Sequence, residues 1–258
     1  MQIIGRDQLL SKEVLPRVRS SRGAYITGQR GIGKTAILEW AHEHAKGDKI
    51  LLSAKLQHSE MLRLLTRHFD ISTKGLSQPD TESRIIQEAA NRPGLWIFLD
   101  DLESATPKKC SFLILLLPYI ILWCAGNAPI REHQKRMLWG RAEIKVGSIA
   151  QKYRLALALE IIKSTGARIS PAELAHASFG VPGRAWAIAR GELPRREAQH
   201  VEGEEINLLP LALIGLGGIM ALRAIGAGLG QTDLYLMGGV GAGLGVAARY
   251  WLYRSMRK

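Results

Sequence analysis

The residues best suited to chemistry in this 258-residue chain form one unbroken run, Gly28, Gln29, Arg30, Gly31, Ile32, Gly33, Lys34 and Thr35. Glycines at 28 and 33 let the main chain curl so that successive amides point inward at the head of a helix, which makes a cradle for phosphate oxygens. Lys34 is placed to neutralise the β- and γ-phosphates, and the Thr35 hydroxyl to hold a magnesium ion. The spacing G-x-x-x-x-G-K-T therefore predicts a site for ATP and Mg2+ built from these eight residues. A carboxylate partner for the metal is expected at the tip of a neighbouring parallel strand, where side chains enter the cleft. Asp100, at the end of the apolar run Trp96 to Leu99, fits that position. Asp101 then reads as the base or positioner for an attacking water, with Glu103 the less favoured candidate.

A strand, a loop and a helix must follow one another to hold such a site. Residues 24–27 read as a short apolar strand, and the residues after Thr35 carry helical periodicity. Further strands are expected at 49–56, 94–101, 119–127 and 142–149, with helical patterns at 59–69 and 81–92. Thr106 and Pro107 look like the cap and first turn of another helix, which Pro118 ends. Strands rich in Val, Ile and Leu that alternate with helices imply an α/β fold, a parallel sheet with helices on both faces. From residue 150 the pattern is helical throughout, with Ser170 as a cap and Pro171 in a first turn. We read residues 1–149 as the nucleotide-binding core, 150–191 as a small helical lid and 192–205 as a polar linker.

Residues 206–222 carry no charge, and neither do 234–248. With their interfacial flanks both runs approach the ~20 residues that span a bilayer. Tyr250, Trp251 and Tyr253 beside Arg249 and Arg254 resemble an aromatic belt with basic anchors. The expectation is a C-terminal transmembrane helical hairpin over 206–254, with lipid as a partner and both ends on the cytoplasmic side by the positive-inside rule. Arg223 is the awkward residue in it, tolerable near the far interface or against a partner. Of the net charge of +12, five cations against Asp233 fall in residues 206–258. The remaining excess on the first 205 residues favours phosphate-rich partners, nucleic acid or anionic head groups.

The start of the chain lacks the basic and apolar regions of a secretory signal, so the ATP site is expected in the cytoplasm. Cys110 and Cys124 lie in apolar runs and suit buried, unpaired thiols. His42 and His44, two apart on a helix, cannot share a face, which argues against a metal pair. Zinc-type Cys/His spacing and a serine elbow are absent from the sequence.

The ordered set of these segments resembles the P-loop NTPases of the AAA+ and related STAND groups, over residues 3 to about 191. The stretch Ile3 to Leu10 resembles the glycine-arginine-acid segment that opens those domains, and residues 28–40 are similar to the loop of the archaeal ATPase branch. The resemblance implies that Asn127, after the strand 119–126, contacts the γ-phosphate and water. It implies that Arg141 acts on the nucleotide of a neighbouring subunit in a homo-oligomer, and that Arg184, in Phe179 to Trp186, reaches the phosphates. It departs at two points: Asp100-Asp101 stands where Asp-Glu is common, and Leu138 stands where a second arginine is usual, with Arg136 nearby. A membrane-anchored ATP hydrolase follows as the leading expectation, acting as motor, assembly factor or switch on a protein client. A membrane-perturbing effector gathered by nucleotide binding is one alternative, with small-residue spacing from Gly226 to Gly245 to pack its helices. A nucleic-acid-associated ATPase is the other.

Overall fold

Burial on both sides of the strands decides the architecture. In the computed structural model, which describes residues 3–127 and 130–193, five strands form one parallel sheet: β1 (Ala24–Thr27), β2 (Lys49–Ser53), β3 (Leu95–Asp100), β4 (Ile120–Gly126) and β5 (Ala142–Lys145). Their spatial order is β2-β3-β4-β1-β5, with every neighbour pair parallel. Side chains alternate across a strand, so each apolar run feeds two cores at once. Leu95, Ile97 and Leu99 of β3 face one core with Leu122 and Cys124 of β4. Trp96 and Phe98 face the other with Trp123 and Ala125.

Helices cover both faces. The first core is closed by α3 (His58–His68), α4 (Gln78–Asn91), α5 (Pro107–Leu116) and α6 (Glu132–Met137) through Leu65, Ile85, Leu113 and Met137. The second is closed by α1 and by α2 (Lys34–His44), through Val14, Val18, Ile37 and Leu38. Helix α1 runs as α over Asp7–Leu9, widens to π over Leu10–Val14 and returns to α over Leu15–Arg19. The expected parallel sheet with helices on both faces is thus present. Two helices were not anticipated from the sequence, α1 and the six-residue α6.

Strand ends differ from the expectation for a physical reason. Strand β1 has four residues before the glycine loop begins, so β5 can pair only from Ala142 to Lys145 and does not extend to 149. Strand β2 stops at Ser53 because Ala54 turns away, its carbonyl taken by the buried ammonium of Lys109 at 2.7 Å. Thr106 caps α5 as expected, accepting from the Lys109 amide.

The lid consists of α7 (Gln151–Thr165), α8 (Pro171–Ala177) and α9 (Pro182–Ala189) around its own core of Leu157, Ile161, Leu174 and Ile188. Ser170 occupies the cap position of α8 but makes no side-chain cap bond there. Both cysteines are buried and unpaired. Burial raises the Cys110 thiol to about 11 and raises Cys124 further. Among the described residues no helix is long and apolar enough to cross a membrane. The expected hairpin at 206–254 and nearly all of the linker lie outside the described residues.

Candidate nucleotide site

The parallel order sets the geometry of the site before any side chain is considered. Strands β1, β3 and β4 all end on one edge of the sheet, with β4 between the other two. The loop from Gly28 to Gly33 leaves the end of β1 and runs into α2. Gly33 caps that helix in the left-handed conformation at φ +97°, and a Cβ added there would meet nothing within 4 Å. The loop thus opens onto free space beside Gly33, at the head of the helix where a phosphate would bind. Ile32 is fully buried in the core and anchors the loop from beneath.

Lys34 is buried and folds back into the loop. Its Nζ donates to the carbonyls of Gly28 and Gln29 at 3.0 and 2.9 Å and to Asn127 Oδ1 at 2.7 Å. Burial pulls its ammonium below the usual lysine range, opposed by the carboxylates of Glu103, Asp100 and Asp101. Thr35 remains exposed, and its hydroxyl donates to Asp100 Oδ2 at 2.8 Å. Two hard oxygen donors side by side, open to solvent, fit a magnesium ion that keeps waters and phosphate oxygens as its other ligands. Among the described residues no group of three or more His, Cys, Asp or Glu side chains is placed to hold a metal ion.

Beyond Asp100 the chain turns through Asp101, at φ +55°, into a short 3-10 turn, Leu102–Ser104. Asp101 accepts from Ser53 at 2.9 Å and from Lys55 at 2.6 Å. Burial pushes its carboxyl up, but those two hydrogen bonds and the Lys55 charge outweigh it and hold the group below the usual range. Glu103 turns to the opposite side, toward the end of β4. Its two oxygens accept from the amide of Asn127 at 3.1 Å and from the Asn127 side chain at 3.0 Å.

The two arginines named by the resemblance lie in different parts of the molecule. Arg184 sits in the first turn of α9 with its guanidinium 5.1 Å over the Phe179 ring. The adjacent Gly183 amide donates to Gly31 O at 2.7 Å, so the lid touches the phosphate loop through backbone. No side chain fits at this contact, because a Cβ on Gly183 would lie 2.7 Å from Gly31 Cα. Arg141 precedes β5 and lies at the opposite edge of the sheet, half-buried, donating to Met137 O at 3.2 Å. Burial lowers its guanidinium from the usual value. Gln29 and Arg30 are exposed on the loop, and Arg136 is exposed on α6.

One participant went unassigned at the sequence level. Arg6 is buried and donates to the Ile32 carbonyl at 3.1 Å, tying the start of α1 to the loop. Its signal was the charged pair Arg6-Asp7 after Gly5, which had been read only as part of a resemblance.

The chain is similar to the solved Walker-type ATPase PABY2304 of Pyrococcus abyssi, at a TM-score of 0.50 and 14% identity, over 86% of this chain and 76% of that one. The fold is that of a P-loop NTPase. A second similarity is to a RuvB variant of Thermotoga maritima, at a TM-score of 0.48 and 12% identity, over 72% of this chain and 61% of that one. No family model and no curated protein matches the chain. The P-loop of this chain, residues 28 to 35, lies between β1 and α2 as that fold requires.

Proposed function

We propose that this chain is a Mg2+-dependent ATP hydrolase of the AAA+/STAND type, working as a homo-oligomer held at a membrane by residues 206–254. The observation that carries the nucleotide reading is the Thr35 to Asp100 hydrogen bond of 2.8 Å, made across the gap between β1 and β3. It joins the two metal-holding positions beside an open helix head, and nothing in the packing of the core requires it. The magnesium ion would be held by Thr35 and Asp100, where it would draw charge from the phosphates. Lys34 would turn from its carbonyl partners to the β- and γ-phosphates, Arg184 would approach them from the lid, and Arg141 would serve a neighbouring copy.

A fluorescent ATP analogue titrated onto the full chain tests the site. Saturable binding that tightens with magnesium, and loses that tightening in Asp100→Asn, is expected. Binding indifferent to both magnesium and Asp100 would sink the metal assignment. The anchor reading rests on the two uncharged runs and the basic, aromatic end of the chain. A cysteine at Gln231 is expected to react with an impermeant reagent from outside intact cells, and one at Ser255 to stay protected. The reverse pattern, or full-length chain in the soluble fraction without detergent, would remove the anchor from the proposal.

A further inference from the structure

ATP hydrolysis needs a group that orients the attacking water or accepts its proton, and two carboxylates follow Asp100 closely. We propose that Glu103 performs this step, with Asn127 as its positioning residue, and that Asp101 is the structural partner of Lys55. The inference rests on the ATP-hydrolase reading above and names the residue that the two-residue offset from Asp101 conceals.

The strand order separates the two candidates. Asp101 leans toward β2, where it is held by Ser53 and Lys55. That is one strand further from the P-loop than β3 itself. Glu103 leans toward β4, the strand between β3 and β1, and meets Asn127 at its tip. Asn127 in turn accepts from Lys34, so Lys34, Asn127 and Glu103 form a continuous chain that ends inside the phosphate cradle. Among the carboxylates acting on the Lys34 ammonium, Glu103 has the strongest influence.

The backbone builds this placement. The left-handed Asp101 reverses the chain, and the Ser104 amide closes the turn on Asp101 O at 2.8 Å. Buried Gln134 of α6 holds the Leu102 carbonyl at 2.7 Å, which fixes the turn from behind. Gly126 leaves the room the turn needs, since a Cβ there would lie 2.5 Å from Leu102 Cβ and 3.1 Å from Glu103 Oε2.

In the step itself the Glu103 carboxylate accepts a proton from water while the water oxygen bonds to the γ-phosphorus. The bond from that phosphorus to the β–γ bridging oxygen breaks, and its electron pair leaves on ADP. The proton then passes from Glu103 to the phosphate product or to solvent. Asn127 holds the carboxylate at the cradle. When Lys34 turns to the phosphates, it gives up its bond to Asn127, which makes the clamp on Glu103 responsive to nucleotide.

Full-length Glu103→Gln, Asp101→Asn and Asn127→Ala chains test this by turnover and by the Kd of a fluorescent ATP analogue. Glu103→Gln is expected to bind the analogue like the wild type, retain uncleaved ATP after mixing, and lose about 10²- to 10⁴-fold in turnover. The loss in Asp101→Asn is expected to be at least about tenfold smaller. Asn127→Ala is expected to lower kcat with little change in KM, a split that a merely structural role would not give. Glu103→Asp keeps the charge with shorter reach, and its partial turnover would support the assignment even if the glutamine variant proved unstable. Undiminished turnover in both Glu103 variants, or ATP trapping by Asp101→Asn instead, would overturn it. A wild-type chain that binds ATP without cleaving it would bring down the hydrolase reading and this inference together.

Discussion

The two edges of one sheet have been put to opposite uses. Where the strands end, polar side chains at and beyond the tips of β1, β3 and β4 meet across element boundaries: Thr35 with Asp100, Lys34 with Asn127, and Asn127 with Glu103. Where the strands begin, the contacts are those of a packed base. Trp123 donates to Arg22 O, Arg141 lies against Gly23 and the carbonyl of Met137, and Trp139 is left 86% exposed. Parallel strands explain the contrast, because all loops leaving the strand tips converge on one side and bring there residues distant in sequence. A substitution at the first edge should therefore change binding and chemistry with little change in stability, and one at the second should do so only if, as proposed, that edge serves a neighbouring copy.

The largest effect is expected from Lys34→Ala. Removing a charge-assisted donor of about 1.5–3 kcal/mol from each phosphate contact should abolish measurable ATP binding. The fold should survive, since Lys34 belongs to none of the hydrophobic cores. Retained nucleotide affinity would erase the distinction between the edges. Arg141→Ala sharpens it from the other side: binding should persist while turnover falls by as much as ~10³-fold, if a neighbour's phosphate is its target. Specific activity that is independent of protein concentration in the wild type, with Arg141→Ala as active, would make Arg141 part of the base and nothing more.

Gly183→Val is expected to be next in size. The new side chain would enter the 2.7 Å gap to Gly31 and wedge the lid from the P-loop, at a cost of about 1–3 kcal/mol and some nucleotide affinity. Thermal unfolding with and without nucleotide would show it. The smallest effect belongs to Asp101. Its carboxyl lies below the usual range in the folded chain, so its contribution to stability is present above the ordinary carboxylate pKa. That contribution is lost as the pH falls through the depressed folded value. Asp101→Asn should accordingly lower stability modestly at neutral pH, with the difference from the wild type vanishing as the pH falls below about 4. A large loss of stability at pH 7 would show that the turn depends on the charge.

The sequence made the P-loop and most strands legible because their signals are local. Eight consecutive residues specify the cradle, and the alternation in Leu95 to Leu99 is continuous enough to read as a strand buried on both faces. Helix α1 escaped because its buried positions, Leu10, Val14 and Val18, are spread through a π-widened stretch among charged residues. Helix α6 is simply too short to show a period. The preference for Asp101 over Glu103 followed proximity along the chain. The role proposed above for Glu103 rests instead on strand order and on the φ of Asp101, neither of which periodicity carries. Arg6 escaped for a similar reason, since a charged residue in a sequence does not announce that a carbonyl from residue 32 will cover it.

The burial of Cys110 and Cys124 has a practical consequence of its own. A thiol held well above its ordinary pKa and out of contact with water is nearly inert at neutral pH, so it reacts only when the surrounding structure opens. Cys124 lies in β4, at the centre of the five-stranded sheet, and Cys110 lies in the helix that covers one of its faces. The rate at which a small thiol reagent consumes the pair is thus a clock for opening of the nucleotide-binding core, readable without any added probe. Cysteines introduced elsewhere in the chain can be followed against that silent background.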